Sequence, residues 1–289
     1  MSTGSLADSS VNPLGAGHAA GAGGDGNTPL LELRGVSKTF GPVRALTGVD
    51  LTIPPAQVTA LVGDNGAGKS SLIKTIAGLW EPDEGQILWQ GQPVRFHGPK
   101  DAEAAGITTI YQDLALCDNL DIVQNMFLGH ERRRRGVLDE DSMEITARKT
   151  LDDLAVVTVR SIRQPVASLS GGQRQSVAVA KAVMSKAKLV IMDEPTAALG
   201  VSQTTMVLSL IQRLAGQGVA VLVISHNLND VFGVADRLAI LRLGQMVAAG
   251  PAAEFDRQVV VDYMTTGSSR RESGSGHPGT ETHAARVGG

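Results

Sequence analysis

Three short segments, in a fixed order along the chain, carry the residue types that bind phosphate and activate water. Gly63-Asp64-Asn65-Gly66-Ala67-Gly68-Lys69-Ser70 follows the apolar run Val58-Thr-Ala-Leu-Val62 and leads into Ser71-Leu-Ile-Lys-Thr-Ile-Ala77. Strand, glycine loop and helix is the context in which backbone N–H groups cradle phosphates. Glycines at 63, 66 and 68 let the loop curl, and the helix N-terminus adds partial positive charge. Lys69 is then expected to reach the β- and γ-phosphates and the Ser70 hydroxyl to hold Mg²⁺, with Ser71 closing the phosphate-facing set. A plain glycine-rich turn has no need of a Lys-Ser pair in register.

Downstream, Leu189-Val-Ile-Met-Asp193-Glu194 is an apolar strand ending in two acids, at the strand end where α/β sheets place ligands. Asp193 is expected to bind Mg²⁺ through water, and Glu194 to act as the general base that polarises the attacking water. The plainer reading is a helix cap, since Glu-Pro-Thr begins a new segment. Between these two elements lies Ser170-Gly171-Gly172-Gln173, which opens a helix expected from Arg174 to about Lys186. A hydroxyl, two glycines and a helix N-terminus make an anion site. The competing reading is an ordinary Ser-capped helix, which has no need of Gly-Gly-Gln.

Glycine loop, Ser-Gly-Gly-Gln and acidic strand end together resemble the ATPase subunit of ATP-binding-cassette (ABC) transporters, over roughly residues 30 to 262. The resemblance implies ATP and Mg²⁺ as cofactors and a head-to-tail homodimer, because Ser170 to Gln173 then close on the γ-phosphate held by the other subunit. It also implies roles that the residues alone do not carry. Gln112, after Ile107-Thr-Thr-Ile-Tyr111, matches a glutamine that contacts Mg²⁺ and water. His226, after strand and Ser225, matches a histidine that contacts the γ-phosphate. Phe40, in Lys38-Thr-Phe-Gly-Pro-Val43, matches an aromatic that stacks on adenine, with a core Phe as the alternative. One departure stands out: Gly200 follows Thr196-Ala-Ala-Leu where most of the family has Asp, in a loop that the resemblance implies touches the partner subunit's phosphate loop. The wording Ala-Ala-Leu-Gly, Tyr111-Gln-Asp-Leu-Ala-Leu-Cys117 and Ser225-His-Asn227 is similar to the monosaccharide-importer branch. The expected activity is therefore ATP hydrolysis driving uptake of a simple sugar, with transmembrane permease subunits as partners and, indirectly, a solute-binding protein. An ABC subunit for another solute and a non-transport ABC ATPase stay open as alternatives. DNA-repair types insert a very long coiled coil and translation types carry two cassettes, and neither pattern is visible. A guanine-reading Asn-Lys-x-Asp segment is also absent.

The elements that must position these residues follow from composition and pattern. The 289 residues are 42% hydrophobic and only 3% aromatic, so aliphatic side chains must fill the core. The expected fold is α/β: a P-loop NTPase core whose continuous apolar runs form a buried, mainly parallel sheet. Leu31 to Ile53 alternates around Gly41-Pro42 and reads as an N-terminal antiparallel β subdomain. Residues from about 113 to 168 show helical spacing and read as an inserted helical subdomain. Residues 1 to 28 and 265 to 289 are polar and Gly-rich and read as disordered tails around a domain at 29 to 264. The glycines of the first tail lack the strand and helix of a dinucleotide fingerprint.

A formal net charge of -3, with the signs interspersed, argues against nucleic acid as a partner. The single Cys117 cannot form an internal disulfide, which fits a reducing compartment. No apolar run approaches the ~18 residues of a membrane span, so the expected location is cytoplasmic, peripheral on the inner membrane face through the permease. Leu114, Leu116, Leu120, Ile122, Met126 and Phe127 are expected to leave an exposed apolar patch where the permease docks, unless all six pack inside the helical region. Arg132 to Arg135 reads as a solvated turn, with contact to anionic lipid headgroups as the weaker reading.

Overall fold

A computed structural model describes residues 28–156 and 158–268. The two stretches read as tails lie outside these residues, apart from their inner ends. There, Thr265 and Thr266 complete the last helix rather than beginning a tail.

Two sheets meet over the glycine loop. The first is antiparallel: β1 (Leu31–Phe40) and β2 (Val43–Ile53) pair around Gly41-Pro42. After β3 (Val58–Val62) and α1 (Lys69–Ile76), β4 (Glu84–Trp89) and β5 (Gln92–Val94) return to it, giving the order β2-β1-β4-β5. The helix α2 (Pro99–Ala105) then leads into β6 (Ile107–Ile110). The helical region follows, with α3 (Ile122–Phe127), a small hairpin of β7 (Arg133–Arg134) and β8 (Val137–Leu138), and α4 (Glu140–Asp153). The chain continues through α5 (Gly171–Met184), β9 (Leu189–Asp193), α6 (Val201–Gly216), β10 (Ala220–Ile224), α7 (Leu228–Val234), β11 (Arg237–Arg242), β12 (Gln245–Pro251) and α8 (Arg257–Thr266). The second sheet has the order β12-β11-β3-β10-β9-β6 and is parallel except for β12.

Every residue of β3 and β10 is buried, as a parallel strand covered on both faces requires. Strand alternation divides the core. On β9 and β10, Leu189, Ile191, Ala220, Leu222 and Ile224 face α1 and the antiparallel sheet. Val190, Met192, Val221 and Val223 face the other way, toward α3, α4 and α5. The helical region therefore has no separate core. Ile122, Met126, Phe127 and Leu151 share one cluster with the sheet, and α5 joins them to it. Each such burial contributes roughly 1.5–3 kcal/mol.

This packing corrects the expected docking patch. Ile122, Met126 and Phe127 are buried, Leu114 and Leu116 pack half-buried against the same core, and Leu120 is half-buried. The six residues form no exposed apolar patch. Arg132 to Arg135 enter the exposed hairpin β7–β8, where Arg132 donates to the Thr146 hydroxyl at 2.8 Å and lies over the Phe127 ring.

Candidate active site

The glycine loop leaves the carboxyl end of β3, and its close neighbours explain two of its glycines. A β-carbon on Gly63 would fall 2.3 Å from the Leu241 carbonyl oxygen of β11. Gly68 has φ +103°, and a β-carbon there would lie 2.7 Å from the Ala45 carbonyl of β2. A hydrogen bond from Gly244 N–H to the Ala67 carbonyl (2.8 Å) ties the loop to the β11–β12 turn. Asp64, Asn65 and Gly66 remain exposed. Gly68 is the N-cap of α1 and supplies no side-chain bond, so the first N–H groups of that helix have no side-chain acceptor at the cap. Lys69 is buried and donates through Nζ to the Gly63 (2.6 Å) and Asp64 (3.0 Å) carbonyls. Burial lowers its pKa, against the pull of Glu194, Asp193 and Asp64. Ser70 is exposed and Ser71 half-buried at the start of the helix.

The acids arrive from β9. Because β10 lies between β3 and β9, with Ile224 opposite both Leu61 and Asp193, the loop, the acids and residues 225 and 226 share one sheet edge. Burial raises the pKa of Asp193, and the Glu194 charge raises it further, while Lys69 and Lys74 oppose both. Glu194 sits at φ +50°, a region that non-glycine residues rarely occupy. Its N–H donates to the Ile224 carbonyl at 2.9 Å, which anchors this strained residue to the neighbouring strand. His226 Nδ1 lies 2.8 Å from Glu194 Oε1, and its ring is largely exposed. Gln112 is exposed two residues past Ile110, which pairs with Met192 on β9, so the glutamine stands at the same edge. Phe40 keeps 37% of its surface exposed, so it is not a core residue.

The Ser-Gly-Gly-Gln segment is elsewhere, at the N-terminus of α5. Ser170 and Gln173 form a reciprocal capping box: Ser170 N–H donates to Gln173 Oε1 (2.9 Å) and Gln173 N–H to Ser170 Oγ (3.4 Å). Gln173 Nε2 also donates to the Thr158 carbonyl at 2.6 Å. The plain reading of a Ser-capped helix is thus realised, and Gln173 is part of that cap. The helix starts at Gly171 rather than Arg174. A β-carbon on Gly172 would sit 2.7 Å from Met206 Cε of α6, and one on Gly171 2.7 Å from Leu199 Cδ2 in the loop before it, so the two glycines let α5 approach α6 and its leading loop. Among the described residues, none of the hydrogen bonds made by Ser170 to Gln173 reaches residues 63 to 71. The chain brings together loop, acids, Gln112 and His226, and leaves Ser170 to Gln173 apart.

Gly200 is the N-cap of α6 at φ -73°, with no side-chain cap, and a β-carbon there would meet nothing within 4 Å. Its backbone does not require glycine. Sequence reasoning passes over Asn125, which is fully buried and donates to the Cys117, Leu120 and Asp121 carbonyls while accepting from Cys117 N–H. An Asn inside an apolar helix was the available signal.

Residues 46–197 match the family model described as "ABC transporter". The chain belongs to this family. It is an ABC ATPase cassette, and its similarity to named members extends beyond the matched segment. It is 46% identical over 244 residues to "Fructose import ATP-binding protein FrcA" of Rhizobium meliloti, covering 82% of this chain and 94% of that protein. It is 45% identical to "Xylose/arabinose import ATP-binding protein XylG" of Sulfolobus acidocaldarius, with coverages of 82% and 94%. Against "Ribose import ATP-binding protein RbsA 1" of Agrobacterium fabrum, at 42% identity, it spans 46% of the relative's length. Among solved structures, the ADP conformation of MJ1267, an ATP-binding cassette of an ABC transporter, superposes with a TM-score of 0.72 at 27% identity, covering 81% of this ABC ATPase and 95% of that chain. No helix among the described residues is long and apolar enough to cross a membrane.

Proposed function

We propose that this ABC ATPase is the ATP-hydrolysing subunit of an importer for simple sugars. The observation that carries the catalytic part is the convergence of an uncapped helix N-terminus, Lys69, Asp193, Glu194 and His226 on one sheet edge, with Glu194 and His226 in contact at 2.8 Å. ATP lies with its phosphates on the loop at Gly63 to Ser71 and its base on Phe40. Lys69 exchanges the loop carbonyls for β- and γ-phosphate oxygens. Glu194 accepts the proton of the attacking water, and His226 both orients Glu194 and contacts the γ-phosphate.

The donor set fits Mg²⁺. Ser70, Asp193 and Gln112 offer hard oxygens, and a cation beside Asp193 would offset the burial that raises its carboxyl pKa. When bound, the ion would neutralise charge between the β- and γ-phosphates. Asp193, Ser70 and Gln112 would hold it.

Ser170 to Gln173 do not reach the loop within the chain, so they serve the γ-phosphate bound by a second copy, in a head-to-tail homodimer. The permease is received by an open groove of about 1,210 Å³ between α2, β6 and the helical region, lined by Ala104, Tyr111, Leu114, Ala115, His130 and Arg132 among others. Tyr111 and Asp113, on either side of Gln112, line that groove, so a permease element seated there is placed to move the nucleotide site. The ATPase then works at the cytoplasmic membrane face. The sugar reading rests on the fructose, xylose and ribose import relatives.

Uptake of labelled fructose, xylose, arabinose and ribose, in cells lacking the gene and in cells complemented with it, tests this reading. Uptake of one sugar should depend on the gene and fail with the Glu194→Gln form. Unchanged uptake of all four removes the sugar assignment. Ala104→Arg should block uptake while leaving basal ATPase activity in place; normal uptake by that variant moves the permease away from the groove.

A further inference from the structure

Phe40 stands at the tip of the β1–β2 hairpin, where an unsupported ring would swing freely. It is instead fastened to the turn that follows α1. Its ring meets that of Trp80 at 64°, with centroids 4.5 Å apart, in the edge-to-face range of favourable aromatic pairs. Lys74, on α1, extends its ammonium over the Trp80 ring at 4.8 Å from the centroid. The Leu79 and Trp80 N–H groups both donate to the Lys74 carbonyl, at 2.9 and 3.3 Å, so the turn is keyed to the helix that starts at the phosphate loop.

The other end of the turn grips β1. Asp83 N–H donates to the Ser37 carbonyl at 2.9 Å. Its carboxylate accepts from Lys38 Nζ (2.7 Å) and from Thr39 N–H (2.7 Å), and these bonds, Lys38's first, hold its pKa below the usual carboxylate range. Lys38 also lies 5.6 Å from the Phe40 ring centroid. Residues 37 to 40 are therefore bracketed by residues 80 and 83 from the far end of α1.

We propose that the Trp80–Asp83 turn is a strut that sets the distance between Phe40 and the phosphate loop, and that Trp80 is a positioning residue for the nucleotide base. The inference rests on the reading that Phe40 stacks on the base. A base platform and a phosphate cradle cooperate only if their separation is fixed before binding, because each degree of freedom frozen on binding weakens affinity. In this chain the platform is on one sheet and the cradle on the helix entering the other. Trp80 and Asp83 join them.

Binding of ADP and of base-free inorganic pyrophosphate to the purified chain, measured by calorimetry, tests the strut. An edge-to-face contact corresponds to about 2- to 12-fold in an equilibrium constant, and this is the ceiling on what losing Phe40's support can take from affinity. Trp80→Ala should weaken ADP binding measurably within that ceiling and leave pyrophosphate unchanged, which also shows that the loop is intact. Trp80→Phe keeps a ring and should recover most of the loss. Asp83→Asn, a milder change, should cost about twofold for ADP alone. ADP affinity at the wild-type level in Trp80→Ala, with a clear loss in Phe40→Ala, overturns the strut and keeps the base platform. Equal weakening of both ligands in Trp80→Ala overturns it as well, since the turn would then serve the phosphate loop only. If Phe40→Ala binds ADP as the wild type does, the reading beneath the proposal is wrong, whatever Trp80 does.

Discussion

The N-termini of α1 and α5 are finished in opposite ways. At α1 the cap is Gly68, which offers no side chain, and the nearest charged group is a buried lysine bonded to its own loop. At α5 the cap is Ser170, locked in a reciprocal box with Gln173. The first terminus keeps its donors for a ligand and supplies a cation to meet it. The second spends the Ser170 and Gln173 side chains on its own cap, pairs its first-turn Arg174 with Asp118 at 2.9 Å, and carries no carboxylate of the water-activating set. On the proposed function, one chain holds a whole phosphate site and half of another. Stability favours the capped end and binding favours the open one.

The largest break in this comparison comes from the α1 side. Glu194→Gln should lower ATP turnover by about 10²–10⁴-fold while nucleotide binding persists, because the amide keeps its size but cannot take the water's proton. A steady-state ATPase assay alongside a binding titration checks both halves, and wild-type turnover would remove Glu194 as the base. The same variant should dimerise when ATP and Mg²⁺ are added, which light scattering reads directly. Lys69→Ala acts one step earlier. It should weaken ATP binding itself by at least tenfold, since a charge-assisted contact to phosphate contributes roughly 1.5–3 kcal/mol.

On the α5 side the effects should divide differently. Ser170→Ala removes the cap and should cost about 1 kcal/mol of stability, or a Tm lower by about 2–4 °C. ATP binding to the single chain should not change, whereas ATP-driven dimerisation of Ser170→Ala in the Glu194→Gln background should weaken. If binding to the monomer falls instead, α5 serves the chain's own nucleotide and the two ends are not complementary halves.

Asp193 tests whether the open end is costly. Its pKa is raised in the fold by burial first and by Glu194 second. A raised carboxyl pKa means that ionisation destabilises the folded state. The cost is fully present above the raised pKa and is lost as the pH falls from there through the ordinary carboxylate range. Without nucleotide, Asp193→Asn should melt at a higher temperature than the wild type near neutral pH, by an amount in the ~0.5–2 kcal/mol range of other functional-site trade-offs. The gap should narrow in acid. A lower Tm at neutral pH would contradict the burial argument.

The smallest effect is expected at the third terminus, Gly200 of α6. The site is open and its φ of -73° suits any residue. Gly200→Asp should stabilise the chain by only a few tenths of a kcal/mol. Denaturant melts check this, and destabilisation would mean that the glycine is held for a contact outside the chain.

Much of this was legible in the sequence because it is local. The glycine loop, the apolar run before Asp193 and the Ser-Gly-Gly-Gln segment each combine a turn chemistry with a strand or helix period, and such signals act within about ten residues. The buried parallel strands were equally plain, because a strand covered on both faces has no polar side to hide. The tertiary structure decided what depends on two distant segments meeting. Strand order set β10 between β3 and β9 and so brought His226 against Glu194; no spacing in the chain encodes that contact. Packing decided that Ile122, Met126 and Phe127 turn inward, since their periodicity fits a core face and a docking face equally well. The left-handed backbone at Glu194, the link from Trp80 to Phe40, and the use of Gln173 in a cap arise likewise from neighbours in space. A side chain's type limits what it can bind, but which partner it meets is determined only when the elements are stacked and the remaining polar groups must be satisfied.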